Sequence, residues 1–203
     1  MTQTTPLSGR PRRTTARGLA TREALLDATA DLVAERGFHS VGILEIGAAA
    51  GVSGSALYRH FANKQELLVA LFDRVVDALL AGAREVVETT DDPATALDAL
   101  IERHVAFALR DRSIIAVYDQ EAHNLPDAHR ARLRRNQRAY ADVWVDTLVA
   151  LRSGARPVRD RREAEAAVHA VFGLLNSVAD HDPRLPDAQV AALLSGMARA
   201  AVR

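Results

Sequence analysis

Cysteine is absent from the 203 residues, so a disulfide framework, a zinc finger and a CxxC redox site are all excluded. Nothing then argues for an oxidising compartment. No apolar run approaches the roughly 18 residues that span a bilayer, and the early arginines are not followed by the apolar stretch of a secretory leader. The expectation is a cytoplasmic protein that makes no contact with membrane. Aromatic residues are scarce at 4%, so each one that falls on an apolar helix face is a candidate anchor or ligand contact. Low-complexity sequence is missing beyond the first twenty positions, and 48% apolar with 26% charged residues places the chain among globular proteins. Strand-type alternation is missing too, which points to an all-α fold.

Acidic residues are missing from the start of the chain. Arg10, Arg12, Arg13, Arg17 and Arg22 all precede the first acid, Glu23, in a Thr-, Pro- and Gly-rich segment that cannot build a core. Although the net charge is zero, residues 1–64 hold 8 basic against 5 acidic side chains, and the remainder is acidic by the same margin. Residues 1–20 therefore read as a basic arm. An ordinary solvated terminus and an arm that follows nucleic acid fit this composition equally well.

Helical periodicity begins after Thr21, a candidate N-cap, with Leu25, Ala28, Leu32 and Val33 at three- and four-residue steps and Gly37 as the stop. A short helix follows over 43–50, then Gly51-Val52-Ser53, then a second over 54–61. Gly51 suits a left-handed turn position, Val52 can plug the angle between the two helices, and Ser53 can N-cap the second. A helix-turn-helix places the start of its second helix against base edges in the major groove, so Ser53, Ser55, Tyr58, Arg59 and His60 are the exposed candidates, with Leu57 and Phe61 as core.

The run Ile46-Gly47-Ala48-Ala49-Ala50-Gly51-Val52-Ser53, continuing into Leu57-Tyr58-Arg59-His60-Phe61 and Asn63-Lys64-Gln65-Glu66-Leu67-Leu68, resembles the signature of the TetR family of transcriptional regulators. The resemblance covers roughly residues 21–72. Two departures stand out. Gly42 occupies the place of the family's usual Thr N-cap, and Gly54-Ser55-Ala56 replaces the commoner Gly-Thr step. The resemblance implies that Tyr58 and His60 contact phosphates, that Lys64 binds a phosphate at the start of the next helix, and that Arg59 reaches a base or the backbone. It implies a homodimer on a palindromic operator in double-stranded DNA, and a repressor released by a small-molecule effector. A helix from Lys64 with Leu67, Leu68, Leu71, Phe72, Val75, Val76 and Leu79 as its apolar stripe would join head to body and swing when ligand enters.

The organisation expected is an arm over 1–20, a DNA-binding head over 21–66 and a helical body over 67–203. Breakers divide the body into helices over 93–110, 112–124, 127–151, 160–179 and 187–202, the turns marked by Pro126, the stretch 153–157, and the prolines at 183 and 186. The last two helices carry Val168, Val171, Phe172, Leu174, Leu175 and Val178, then Val190, Leu193, Leu194 and Met197, as expected of a pair that forms a four-helix bundle with a second copy. Packing within one subunit would use the same stripes.

The candidate sensor residues are the polar and aromatic side chains interleaved with aliphatics in the middle helices: His104, Phe107, Tyr118, Glu121, Asn136, Tyr140, Trp144, His169 and Asn176. Each is as much at home as a packed core side chain with one satisfied hydrogen bond. The runs Val117-Tyr118-Asp119-Gln120-Glu121 and Arg134-Arg135-Asn136-Gln137-Arg138, with Trp144-Val145, are similar to the bodies of TetR-like regulators that answer to acyl-CoA esters. On that resemblance Arg134, Arg135 and Arg138 would meet CoA phosphates while an apolar lining holds the acyl chain; a solvated helix face explains the same arginines. No convergent carboxylates, paired nucleophile and base, or phosphate loop is visible, so neither an enzyme, a cofactor nor a metal is expected, and residues 180–182 (Asp-His-Asp) read as a turn. An adaptor that has lost DNA binding would lack the intact Tyr58, His60 and Lys64.

Overall fold

The computed structural model describes residues 15–153, 161–180 and 184–202. Arg10, Arg12 and Arg13 of the basic arm, the turn at 154–157 and residues 181–183 lie outside them. Among the described residues the chain is helical, without a strand, as the sequence predicts. None of the described helices is long and apolar enough to cross a membrane.

Helix α1 (Ala16–Arg36) starts earlier than expected. Thr15, not Thr21, is its N-cap, its hydroxyl accepting from the Gly18 N–H at 3.2 Å. Thr21 lies one turn inside the helix, its hydroxyl donating to the Arg17 carbonyl. Both threonines have cap chemistry, and Leu19 is exposed, so no buried apolar position marks the true first turn. Arg17 and Arg22 thereby belong to a helix, with Arg22 over the Phe61 ring. Gly37 ends α1 at φ 77° with its N–H on the Val33 carbonyl.

Helix α2 (Ile43–Ala49) and helix α3 (Gly54–Leu57) form the helix-turn-helix. Gly42 offers no side chain as a cap. Glu45 compensates by accepting from the Gly42 N–H at 3.3 Å while pairing with Arg36 at 2.7 Å, which ties α2 to the end of α1. Gly51 takes φ 66° in the turn, as its position predicts, and Val52 packs against the head core. Gly47 is where the two helices touch: a Cβ there would meet Leu57 Cδ1 at 3.0 Å and the Val52 carbonyl at 3.2 Å. Leu57 and Phe61 are buried with Leu25, Leu26, Val33 and Ile46.

Helix α4 (Lys64–Thr89), capped by Asn63, runs unbroken from head to body. Its Leu67, Leu68, Leu71, Phe72 and Val76 complete the head core, and its Leu80, Ala83 and Val86 enter the body core. Beyond it lie α5 (Pro93–Arg110), α6 (Arg112–Glu121) with a 3-10 turn to Asn124, α7 (Asp127–Ser153), α8 (Arg161–Asn176) with a 3-10 turn to Ala179, and α9 (Asp187–Val202). The body helices fall where the sequence breakers predict. Around α5, the helices α4, α7, α8 and α9 share one core, centred on Leu100, Ile101, Trp144, Leu148, Val168 and Leu175.

A candidate DNA-reading head and a ligand cavity

The α3 cap orders the candidate reading surface. Ser53 Oγ accepts from the Ala56 N–H at 3.4 Å and lies 3.3 Å from Ser55 Oγ, while Tyr58 is 51% exposed at the end of the helix. After Leu57 the backbone tightens into turns, with the His60 N–H on the Leu57 carbonyl, and this carries Arg59 and His60 to the side of the head. There they line a groove of about 760 Å³ with Ser53, Gly51 and Val52, closed by Thr15, Arg17, Gly18 and Thr21 of α1. Sequence reasoning assigned Arg17 to the arm and left Thr15 and Thr21 without a role at this surface. The missing signal was the helix start, because only a helical α1 brings those positions against the helix-turn-helix.

Lys64 stands apart from the groove. Its ammonium lies 4.1 Å from the centre of the Phe38 ring, and burial pulls its pKa below the ordinary lysine range, opposed by the carboxylate of Glu121. Glu121 comes from the end of α6, in the body. Its Oε1 is 2.8 Å from His39 Nε2 in the head, and the adjacent Gln65 amide donates to the Asn124 carbonyl at 2.9 Å. Glu121, expected in the sensor pocket, instead joins body to head.

The pocket itself is a cavity of about 410 Å³ walled by α4, α5, α6, α7 and α8. Six expected residues line it: His104, Phe107, Tyr118, Tyr140, His169 and Asn176. Asn136 does not. It lies at the margin of the inward stripe of α7, close enough to α4 that its amide donates to Asp77 at 2.6 Å. Trp144 does not line the wall either: it is fully buried one layer behind, edge-on to Phe172 at 5.1 Å. Phe172, assigned by sequence to the dimer stripe, is a wall residue, and so is Gln137. Arg134 and Arg138 stand at the exposed rim, one turn apart on α7; Arg135 points elsewhere.

His104 organises the polar part of the wall. Its Nε2 is 3.0 Å from Asn176 Oδ1 and its Nδ1 is 2.9 Å from the Tyr140 hydroxyl. An amide oxygen only accepts, so Nε2 carries the proton and Nδ1 accepts from Tyr140. Burial depresses the His104 pKa to about 4 and raises that of Tyr140, so both are neutral at physiological pH. The imidazole also stacks on Phe172 at 5.0 Å and 7°. On α6, the Tyr118 hydroxyl donates to Gln137 at 3.0 Å, and burial raises the Asp119 carboxyl, helped by nearby Asp180. The lining is thus aromatic and aliphatic with a few fixed polar groups, the ordinary constitution of a small-molecule site. A second cleft of about 710 Å³ shares Val75, Leu79, Phe107, Ile114 and Tyr140 with this wall and reaches Asp27 and Asp31 of α1. One set of side chains therefore faces both the cavity and the underside of the head.

Residues 25–71 match the family described as "Bacterial regulatory proteins, tetR family", and residues 90–200 match "Tetracyclin repressor-like, C-terminal domain". The chain is 40% identical over 90 residues to the transcriptional activator FasR of Mycolicibacterium smegmatis, covering 44% of this chain and 41% of FasR. It is 29% identical over 128 residues to the transcriptional repressor KstR2 of Mycobacterium tuberculosis, covering 63% and 64%. The chain thus spans less than two thirds of the length of these curated relatives. Its fold is similar to that of AibR, solved with isovaleryl coenzyme A and operator DNA, at a TM-score of 0.69 and 23% identity over 87% of this chain and 97% of that one. With the head and body each matched over nearly their whole extent, the chain belongs to the TetR family of bacterial regulatory proteins.

Proposed function

We propose that this protein is a dimeric, ligand-responsive transcriptional regulator, a repressor that leaves a palindromic operator when a small molecule fills the body cavity. The observation that carries the reading is α4. One unbroken helix begins at Lys64 in the head and supplies Phe72, Val75, Val76 and Leu79 to the cavity wall, so displacement of the wall turns the head. DNA binding belongs to residues 21–66, joined by the first turns of α1, and ligand binding and dimerisation to 67–203. Ser53, Ser55, Tyr58, Arg59 and His60 meet the duplex, and Lys64 reaches a phosphate when it leaves Phe38. Arginine, imidazole and hydroxyl donors suit phosphate oxygens, and arginine can also grip guanine in a bidentate contact. Repression is supported by KstR2, the named repressor, which matches 63% of the chain; FasR, named an activator, matches 44% of it. Binding of this kind needs no catalytic step.

The effector class supported best is an acyl-CoA ester. AibR is named with isovaleryl coenzyme A. Here the aromatic cavity can take an acyl chain, and Arg134 and Arg138 at its rim can meet anionic groups that stay outside.

Selection of bound sequences from a random duplex pool, at near-physiological salt to suppress nonspecific phosphate binding, tests the DNA half. The wild type is expected to enrich a palindrome that Tyr58→Ala, a change at an exposed side chain, enriches poorly. No enriched sequence, or equal enrichment by the variant, would overturn the reading of the head. Titration of the selected complex with short-chain acyl-CoA esters then tests the effector: release by the ester but not by coenzyme A alone is expected.

A further inference from the structure

Leu44 is the most exposed large apolar side chain of the head, at 59%, although it sits on the short helix whose Ile46 is fully buried. It leans across α3: a Cβ at Gly54, the first residue of that helix, would meet Leu44 Cδ2 at 3.3 Å. Gly54 is therefore the residue whose lack of a side chain lets Leu44 lie beside the first turn of the second helix. Flanking Gly54 in the chain are Ser53 and Ser55, whose hydroxyls lie 3.3 Å from each other. An isobutyl group held in water contributes nothing to the head core, to which Leu44 does not belong.

We propose that Leu44 is a specificity residue that reads the 5-methyl group of a thymine in each operator half-site. Docking of a helix-turn-helix brings the first turn of its second helix to the base edges, and Leu44 shares that position through Gly54. The floor of the major groove presents hydrogen-bonding groups at every base pair, but the thymine methyl is its one apolar group. A leucine there gains on burial against that methyl and cannot satisfy the donors and acceptors of another base. Gly54 and Leu44 act as a pair, since a side chain at 54 would crowd the Leu44 methyl and shift it from the first turn of α3.

The inference rests on the head binding DNA, and its test separates the two ideas. Once the selected operator is in hand, each thymine is replaced symmetrically in both half-sites by deoxyuridine, which removes only the methyl, and affinity is read by fluorescence anisotropy at fixed salt. Removing one buried methyl weakens binding about fourfold, so one symmetric pair is expected to cost the wild type about 15-fold. Leu44→Ala should bind the thymine and uracil operators equally, and Leu44→Met should keep the discrimination. The circular dichroism of Leu44→Ala should match the wild type, because the truncated group is exposed. An operator without a methyl-sensitive step, or the same sensitivity in Leu44→Ala, overturns the role of Leu44 and leaves DNA binding standing; failure to select any operator removes both.

Discussion

His104 has no room for a second proton. Its two ring nitrogens are committed to Tyr140 and Asn176, and burial holds its pKa near 4, whereas an unfolded histidine titrates near 6.5. The sign follows from linkage. Between those values the unfolded chain binds a proton that the folded chain refuses, so this contribution is complete above pH 6.5 and is lost as pH falls toward 4. The loss amounts to about 3 kcal/mol if the whole shift is expressed. Denaturant titrations of the wild type and His104→Gln across pH 7 to 4.5 should therefore converge: the variant is less stable at neutral pH, but its curve is flatter over this range. Parallel curves would show that His104 is protonated in the folded state. At this scale the sequence identified six wall residues, Asn176 and five aromatics and histidines, because such side chains are rare here and fall on apolar faces.

Helix α6 shows what element-level reading leaves out. Its bounds follow from Asp111 and Pro126, but Glu121 at its end turns away from the cavity toward His39 and Lys64. No periodicity in α6 reveals this, because the partners lie on other elements far along the chain. In the proposed complex the body carboxylate would compete with a DNA phosphate for the Lys64 ammonium. Glu121→Gln should accordingly raise operator affinity by about twofold to fivefold, the range of one partly screened ion pair. Effector affinity should stay within about twofold, since the side chain is outside the cavity wall. Anisotropy for DNA and calorimetry for effector make the comparison. Weaker effector binding with unchanged DNA affinity would return Glu121 to the pocket.

The assembly is decided at the scale of the whole molecule. Val168, Val171, Leu175, Val178, Val190 and Leu194 of the expected dimer stripes are buried within the subunit. What remains outside on α9 is Leu193 at 53% and Met197 at 46% exposed, while an added Cβ at Gly173 of α8 or Gly196 of α9 would meet open space. Small residues flanking two exposed apolar side chains suit close helix approach across a two-fold axis. Joint replacement Leu193→Glu and Met197→Glu should give a monomer by sedimentation. It should also reduce operator affinity by more than about tenfold, because two heads held roughly 34–36 Å apart bind adjacent half-sites together. A double variant that stays dimeric would place the interface elsewhere.

By itself the sequence determined the order of the helices, the bounds of those in the body, the turn at Gly51 and the identity of the head, whereas α1 starts earlier and α3 ends sooner than their signals imply. Those features are local: a cap needs a hydroxyl or amide within three residues, a left-handed turn needs a glycine, and a breaker acts where it stands. Thr15 against Thr21 shows where local rules stop, since both carry a cap hydroxyl and, with Leu19 exposed, no buried apolar residue in the first turn tells them apart. The tertiary structure alone decided direction. In helices with apolar residues on more than one face, neighbours settle which face meets the cavity, the core or a second copy. So Asn136 pairs with Asp77, Trp144 backs the wall rather than lining it, Phe172 turns inward, and Leu193 stays outside. A rotation of one residue, 100° on a helix, exchanges those fates without altering a single local signal.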